Sequence, residues 1–161
     1  MSSVLHFGKN QGKTLVETVF SDPAWFAWAI DVGAFHDRGG PALQREAEAI
    51  WVKARHIRKP RGCPAGAQVA YYYQGWNHKF SDIRIVIDGG YEEHADLKDV
   101  LDLGHVCESG GRDGIGNKLL TKAIKRIVFG EKARVTAEQL EQFFANPDNF
   151  DLPEPMQQAA E

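Results

Sequence analysis

The sequence predicts an α+β domain, a small antiparallel sheet with several helices packed on it. Residues 67–74 and 82–88 are rich in β-branched and aromatic side chains. The turn-forming Gly75-Trp76-Asn77-His78 separates them, which makes the two segments antiparallel neighbours with a long loop. Around them lie segments with apolar residues at helical spacing, bounded by capping residues, Gly and Pro. Residues 4–7 are a candidate third strand, and a mixed sheet with that strand parallel is the alternative. With 161 residues the chain suits one domain, placed at 1–150 and followed by a flexible acidic tail at 151–161.

The first helix starts at Asp22-Pro23, an N-cap followed by a residue preorganised for the first helical position, and ends near Gly33. Its stripe of Trp25, Trp28, Ala29 and Val32 reads as core. A second helix runs from Pro41 to about His56, with Leu43, Ala47, Ile50 and Ala54 inward and Pro60 beyond its end. In the first strand Tyr71 and Tyr73 share one face and Tyr72 points to the other. A short helix is expected over Ala95–Leu103, then a Gly-rich connector over Gly110–Gly116. Asn117 opens a helix with Leu119, Leu120, Ala123, Ile124, Ile127 and Val128 on one side, ended by Gly130. Thr136 with Gln139 forms a capping box for a last helix towards Ala145.

Hydrophobic residues are 43% and charged residues 25% of the chain, an ordinary composition for a soluble domain. No apolar run approaches the ~20 residues of a spanning helix, and MSSVLHFGKN has no signal-peptide pattern, so no membrane partner and a cytoplasmic location are expected. Cys63 and Cys107 are too few for a disulfide framework and are expected as free thiols.

The net charge of −3 conceals blocks of opposite sign. Lys53, Arg55, Arg58, Lys59 and Arg61 form a basic run, and Asp82 to Glu108 is strongly acidic. Arg112 to Arg134 is basic again, with Lys118, Lys122, Lys125 and Arg126 recurring along one helix face.

Gly8-Lys9-Asn10-Gln11-Gly12-Lys13-Thr14 approaches a phosphate-binding loop but is one residue short between its glycines, and the expected helix start comes only at Asp22. Nucleotide hydrolysis is therefore not favoured. The same region, Leu5-x-Phe7-Gly8-Lys9-x-x-Gly12-Lys13-x-Leu15 followed by Asp22-Pro23-x-Trp25-x-x-Trp28, resembles the C-terminal domain of exodeoxyribonuclease X and its stand-alone relatives. The resemblance covers residues 1–60. It implies association with DNA processing, often in phages or mobile elements, and carries no nuclease activity because it does not include the nuclease domain. A purely structural reading makes Gly8 and Gly12 the positive-φ positions of a tight turn, with Phe7 and Leu15 packed on Trp25 and Trp28 and Lys9 and Lys13 in solvent.

Other chemistries find less support. Cys63, His78, His94, His105 and Cys107 lack zinc-site spacing, so neither a metal nor another cofactor is expected. Asp82 and Asp88 stand roughly 20 Å apart on an extended strand, too far to share a magnesium ion. Neither cysteine occupies a position that would activate its thiol.

The favoured function is a non-catalytic nucleic-acid-binding module, with single-stranded DNA or RNA as partner. Arg55, Arg58, Lys59 and Arg61 form one candidate phosphate-contacting patch, and Lys118, Lys122, Lys125 and Arg126 another, with Lys9 and Lys13 as further candidates. Tyr71, Tyr73 and Trp76 are candidate stacking rings. The alternative is a protein of a phage or mobile element that blocks a host nucleic-acid enzyme through an acidic surface at 82–108 that imitates phosphate charge.

Overall fold

The computed structural model describes residues 1–87, 95–108, 113–131 and 134–154, and the fold is α+β. Three helices come first: α1 (Leu15–Ser21), α2 (Pro23–Asp31) and α3 (Ala34–Ala54). The strands β1 (Ile57–Arg58), β2 (Gln68–Tyr73), β3 (Phe80–Val86), β4 (Ala95–Lys98) and β5 (Val100–Leu101) follow. The chain then forms α4 (His105–Glu108), α5 (Gly114–Phe129), α6 (Ala137–Ala145) and a 3₁₀ turn at Pro147–Asn149.

The expected β2–β3 pair is present and antiparallel, Gln68 facing Val86 and Tyr72 facing Asp82, with an irregularity before Tyr73 pairs with Phe80. On the other side of β2 lies β4, which replaces the helix expected over Ala95–Leu103. The middle of β2 is buried residue after residue, so the strand needs a neighbour along both edges. Ala95–Lys98 supplies the second edge, and Val100–Leu101 turns away to pair with Ile57–Arg58. Residues 4–7 do not join the sheet; Val4 makes only an isolated bridge to Thr14.

Helix α1 is absent from the sequence expectation. Thr14 and Glu17 form a reciprocal capping box, the Thr14 hydroxyl accepting from the Glu17 amide at 3.1 Å and the Glu17 carboxylate from the Thr14 amide at 2.8 Å. A helix therefore follows Thr14 directly. Pro41 begins the main part of α3 as expected, because Gly40 interrupts the helix with φ 84° and ψ 177°. Helix α5 starts three residues before Asn117: Asp113 is the N-cap and accepts from the Gly116 amide at 2.8 Å. Gly130 ends it, and Thr136 with Gln139 caps α6.

Helix α2 buries Pro23, Phe26 and Ala29 and leaves Trp28 and Val32 more than half exposed, which corrects the expected core stripe. Phe26 stacks on Trp51 of α3, and Phe20 of α1 meets Phe144 of α6 edge to face at 5.5 Å. One core cluster of buried side chains runs from Leu5 to Phe150.

Candidate nucleic-acid interface

The basic face of α5 follows from its amphipathic spacing. Leu120 and Ile124 are buried against the sheet and α1, so Lys118, Lys122 and Arg126, four residues apart, are driven to the solvent side. Gly130, with φ 95°, ends the helix, and Arg134 beyond it lines the same hollow as the last turn of α5. Lys122, Lys125, Arg126, Gly130, Glu131, Arg134 and Val135 enclose a hollow of about 330 Å³. Lys125 is partly buried; desolvation, and after it the nearby charge of Lys13, push its ammonium below the ordinary lysine value. Lys13, expected as a solvated turn lysine, reaches the Asn10 and Ser21 side chains at 3.5 Å and lies close enough to Lys125 for its charge to be felt. Among the described residues none of Lys13, Lys122, Lys125, Arg126 and Arg134 has a carboxylate within ion-pairing distance. Sequence reasoning passed over Arg134 as a site residue, although it closes the basic run and follows a helix-breaking glycine.

The first basic patch is largely engaged in holding the fold. Arg55 is not free for phosphate: its guanidinium forks onto Asp102 with two 3.2 Å hydrogen bonds and also pairs with Glu108. Lys53 donates to the Phe144 carbonyl at the end of α6. Arg58 reaches the Phe150 carbonyl and Asp151, and Lys59 donates to the Ala67 carbonyl. Arg58, Lys59 and Arg61 line a second hollow of about 260 Å³ with Ile127 and Val128 of α5 and with Phe143, Asp148 and Asn149.

Of the three rings, Tyr71 is fully buried and cannot stack on a base, a correction to its expected role. Its hydroxyl donates to the Val100 carbonyl at 2.8 Å, and burial pushes its pKa far upward. Tyr73 shares its face, as expected, but packs edge-on against Phe80 and beside His105. Trp76, at 84% exposure, is open to solvent. The strand that follows its loop is tied to the start of α5, because the Phe80 amide donates to the Asp113 carboxylate at 2.9 Å.

The second half of the Gly8–Thr14 loop has its amides already engaged, where a phosphate loop would turn them to an anion. Gln11 donates to Gly8, Gly12 to Leu5, Lys13 to Asn10 and Thr14 to Glu17. Gly8 and Gly12 adopt positive φ, and Phe7 packs on Trp25 at 6.1 Å, as the structural reading expects. Lys9 is not simply solvated: it pairs with Asp22 at 2.7 Å. Burial disfavours the Asp22 charge, but Lys9, the Trp25 amide and Asn10 together hold its pKa below the usual value.

The described part of the acidic stretch is not one surface. Asp102 is 1% exposed and grips Arg55 and Lys98, Glu108 joins the same cluster, and Asp82 binds Arg84. Asp88, Glu92, Glu93 and His94 lie outside the described residues, as does the tail from residue 155. Among the described residues no three His, Cys, Asp or Glu side chains gather so as to hold a metal ion. Burial pushes the Cys107 thiol up to about 11, so it stays protonated at neutral pH and donates to the Asn117 side chain at 3.3 Å. No described helix is long and apolar enough to cross a membrane.

No protein-family model, curated protein or solved structure matches the chain.

Proposed function

We propose that this protein binds single-stranded nucleic acid without cutting it, along the outer face of α5. The observation that supports this most is the set of four cations, Lys122, Lys125, Arg126 and Arg134, that line one hollow with Glu131 as its lining carboxylate, together with Lys13, close enough to Lys125 to disfavour its charge. Cations that outnumber the nearby carboxylates repel one another, and a bound polyanion removes that cost. Some positive charge at a helix C-terminus only balances the macrodipole, but that is equivalent to about half a charge. Five cations exceed it.

Trp76 is the exposed ring of the loop before β3, whose Phe80 amide is tied to the Asp113 cap of α5. The sixteen residues of α5 span about 24 Å. Lys118 lies one turn before Lys122 on the same face. The N-terminal resemblance to the exodeoxyribonuclease X module supports a setting in DNA processing, of the kind found in phages and mobile elements, and the cytoplasm is the matching compartment.

Fluorescence anisotropy with labelled single- and double-stranded DNA and RNA, over a series of salt concentrations and with and without magnesium, tests the reading. Single strands should bind more tightly than duplexes, with affinity rising with length until the strand covers the face of α5 and then levelling. Flat traces at low salt reject the reading, and cleavage with magnesium replaces it with a nuclease.

A further inference from the structure

Resting on that reading, we propose that the hollow at the end of α5 is an end-recognition site that takes the terminal phosphomonoester of a nucleic-acid strand.

The site is concave and small. Its volume of about 330 Å³ is that of about ten liquid waters, room for a phosphate and its sugar but not for a duplex. Two of its walls are arginines, Arg126 and Arg134, and two are lysines, Lys122 and Lys125. An arginine offers a planar fork that binds phosphate oxygens in pairs, while a lysine acts as a point charge. An internal phosphodiester brings one negative charge and two free oxygens. A terminal phosphomonoester brings about −1.5 to −2 charges and three acceptor oxygens. Two forks and two ammonium groups around one concavity suit the second ligand better.

Lys125 supports the assignment independently of the exposed side chains. It sits partly buried beside Lys13 with no carboxylate partner among the described residues, a position in which its charge is disfavoured until an anion arrives. Glu131, also in the lining, opposes any anion there, but the four lining cations outnumber it. Gly130 ends the helix at positive φ, and Arg134 beyond it lines the same hollow as Arg126.

The test uses the full chain and three oligonucleotides of one sequence, with a 5′-phosphate, a 3′-phosphate or hydroxyls at both ends, each labelled internally. One phosphorylated oligonucleotide should bind at least about fivefold more tightly than the hydroxyl form, and its identity tells which end is read. Arg126→Gln with Arg134→Gln should remove that preference, so that phosphorylated and hydroxyl oligonucleotides bind with one, weakened, affinity. If no oligonucleotide binds, the nucleic-acid reading fails, and inorganic phosphate decides the hollow. A rise in melting temperature with phosphate over chloride at equal ionic strength, absent in the double variant, supports a phosphomonoester site. Equal affinities for all three oligonucleotides overturn the proposal, as does a phosphate effect that the double variant retains.

Discussion

The Tyr71 hydroxyl and the Asp102 backbone are locked together: the hydroxyl accepts the Asp102 amide proton at 2.7 Å while donating its own to Val100. The side chain of one central strand thereby fixes the loop that carries the buried carboxylate. Tyr71→Phe leaves the Asp102 amide and the Val100 carbonyl without that partner in a buried place, a loss of about 1–3 kcal/mol. Denaturant unfolding should show it, with nucleic-acid affinity unchanged. A variant of full stability and impaired binding would restore Tyr71 as a contact residue.

Asp102 is the hub of a cluster with Arg55, Lys98 and the Gly104 amide. Desolvation works against its charge, but Arg55 and Lys98 outweigh it, so its folded pKa lies below the usual 3.8. A depressed carboxylate stabilises fully above its unfolded value, and that contribution disappears as pH falls through the lower folded value. Asp102→Asn strands the half-buried Arg55 and should cost about 3 kcal/mol at neutral pH. The gap from the parent protein should narrow in denaturant titrations below about pH 4.

His105 adds a pH dependence of the same sign at higher pH. It is buried against the Tyr71 ring, centroids 4.0 Å apart, with Lys98, Asp102 and Asp96 around it. Desolvation and the Lys98 charge lower its pKa below 6.5, outweighing the two carboxylates. The unfolded chain therefore takes up a proton before the folded one does, and stability falls as pH drops through 6.5 towards the folded value. Melting temperatures at pH 7.5 and 5.5 should differ more for the parent than for His105→Phe. An equal difference would show that the drop arises elsewhere.

Asp113 joins α5 to the sheet with both carboxylate oxygens, one on the Gly116 amide and one on the Phe80 amide. A Cβ at Gly116 would fall 2.1 Å from that carboxylate. Gly116→Ala should displace Asp113, break cap and tie together, and lower stability by about 2–3 kcal/mol. Hydrogen exchange should quicken in the first turn of α5 and in β3; protection equal to the parent's would show the carboxylate unmoved.

Features written in local spacing were legible in the sequence. The β2–β3 pair, the start at Pro41 and the α6 capping box each depend on residues a few positions apart. Helix α1 was legible too, in Thr14-x-x-Glu17, but the glycines before it drew the reading towards a phosphate loop. Strand β4 was not, because four residues of mixed character become a strand only when β2 offers an edge. The α5 cations were visible as one face of a helix, whereas Arg55 looked equally free. Its carboxylate partner lies 47 residues away, and only the fold brings Asp102 under it.

Charge and stacking should separate in the binding data. Lys122 and Arg126 line the hollow, and each phosphate neutralised on a single strand adds about 0.7 to the salt slope. Lys122→Ala with Arg126→Ala should therefore weaken binding to every sequence alike and make the log–log slope shallower by about 1.4 if each side chain meets one phosphate. Arg58→Ala with Lys59→Ala should have a smaller effect on the slope, because Arg58 and Lys59 already serve the Phe150 and Ala67 carbonyls. Trp76→Ala removes an exposed ring and no charge, so affinity should fall by about 1–3 kcal/mol at an unchanged slope. Anisotropy titrations at four or more salt concentrations read both quantities at once. A Trp76→Ala variant with parental affinity would take the ring out of the interface, and a parental slope in the Lys122/Arg126 double variant would remove α5 from it.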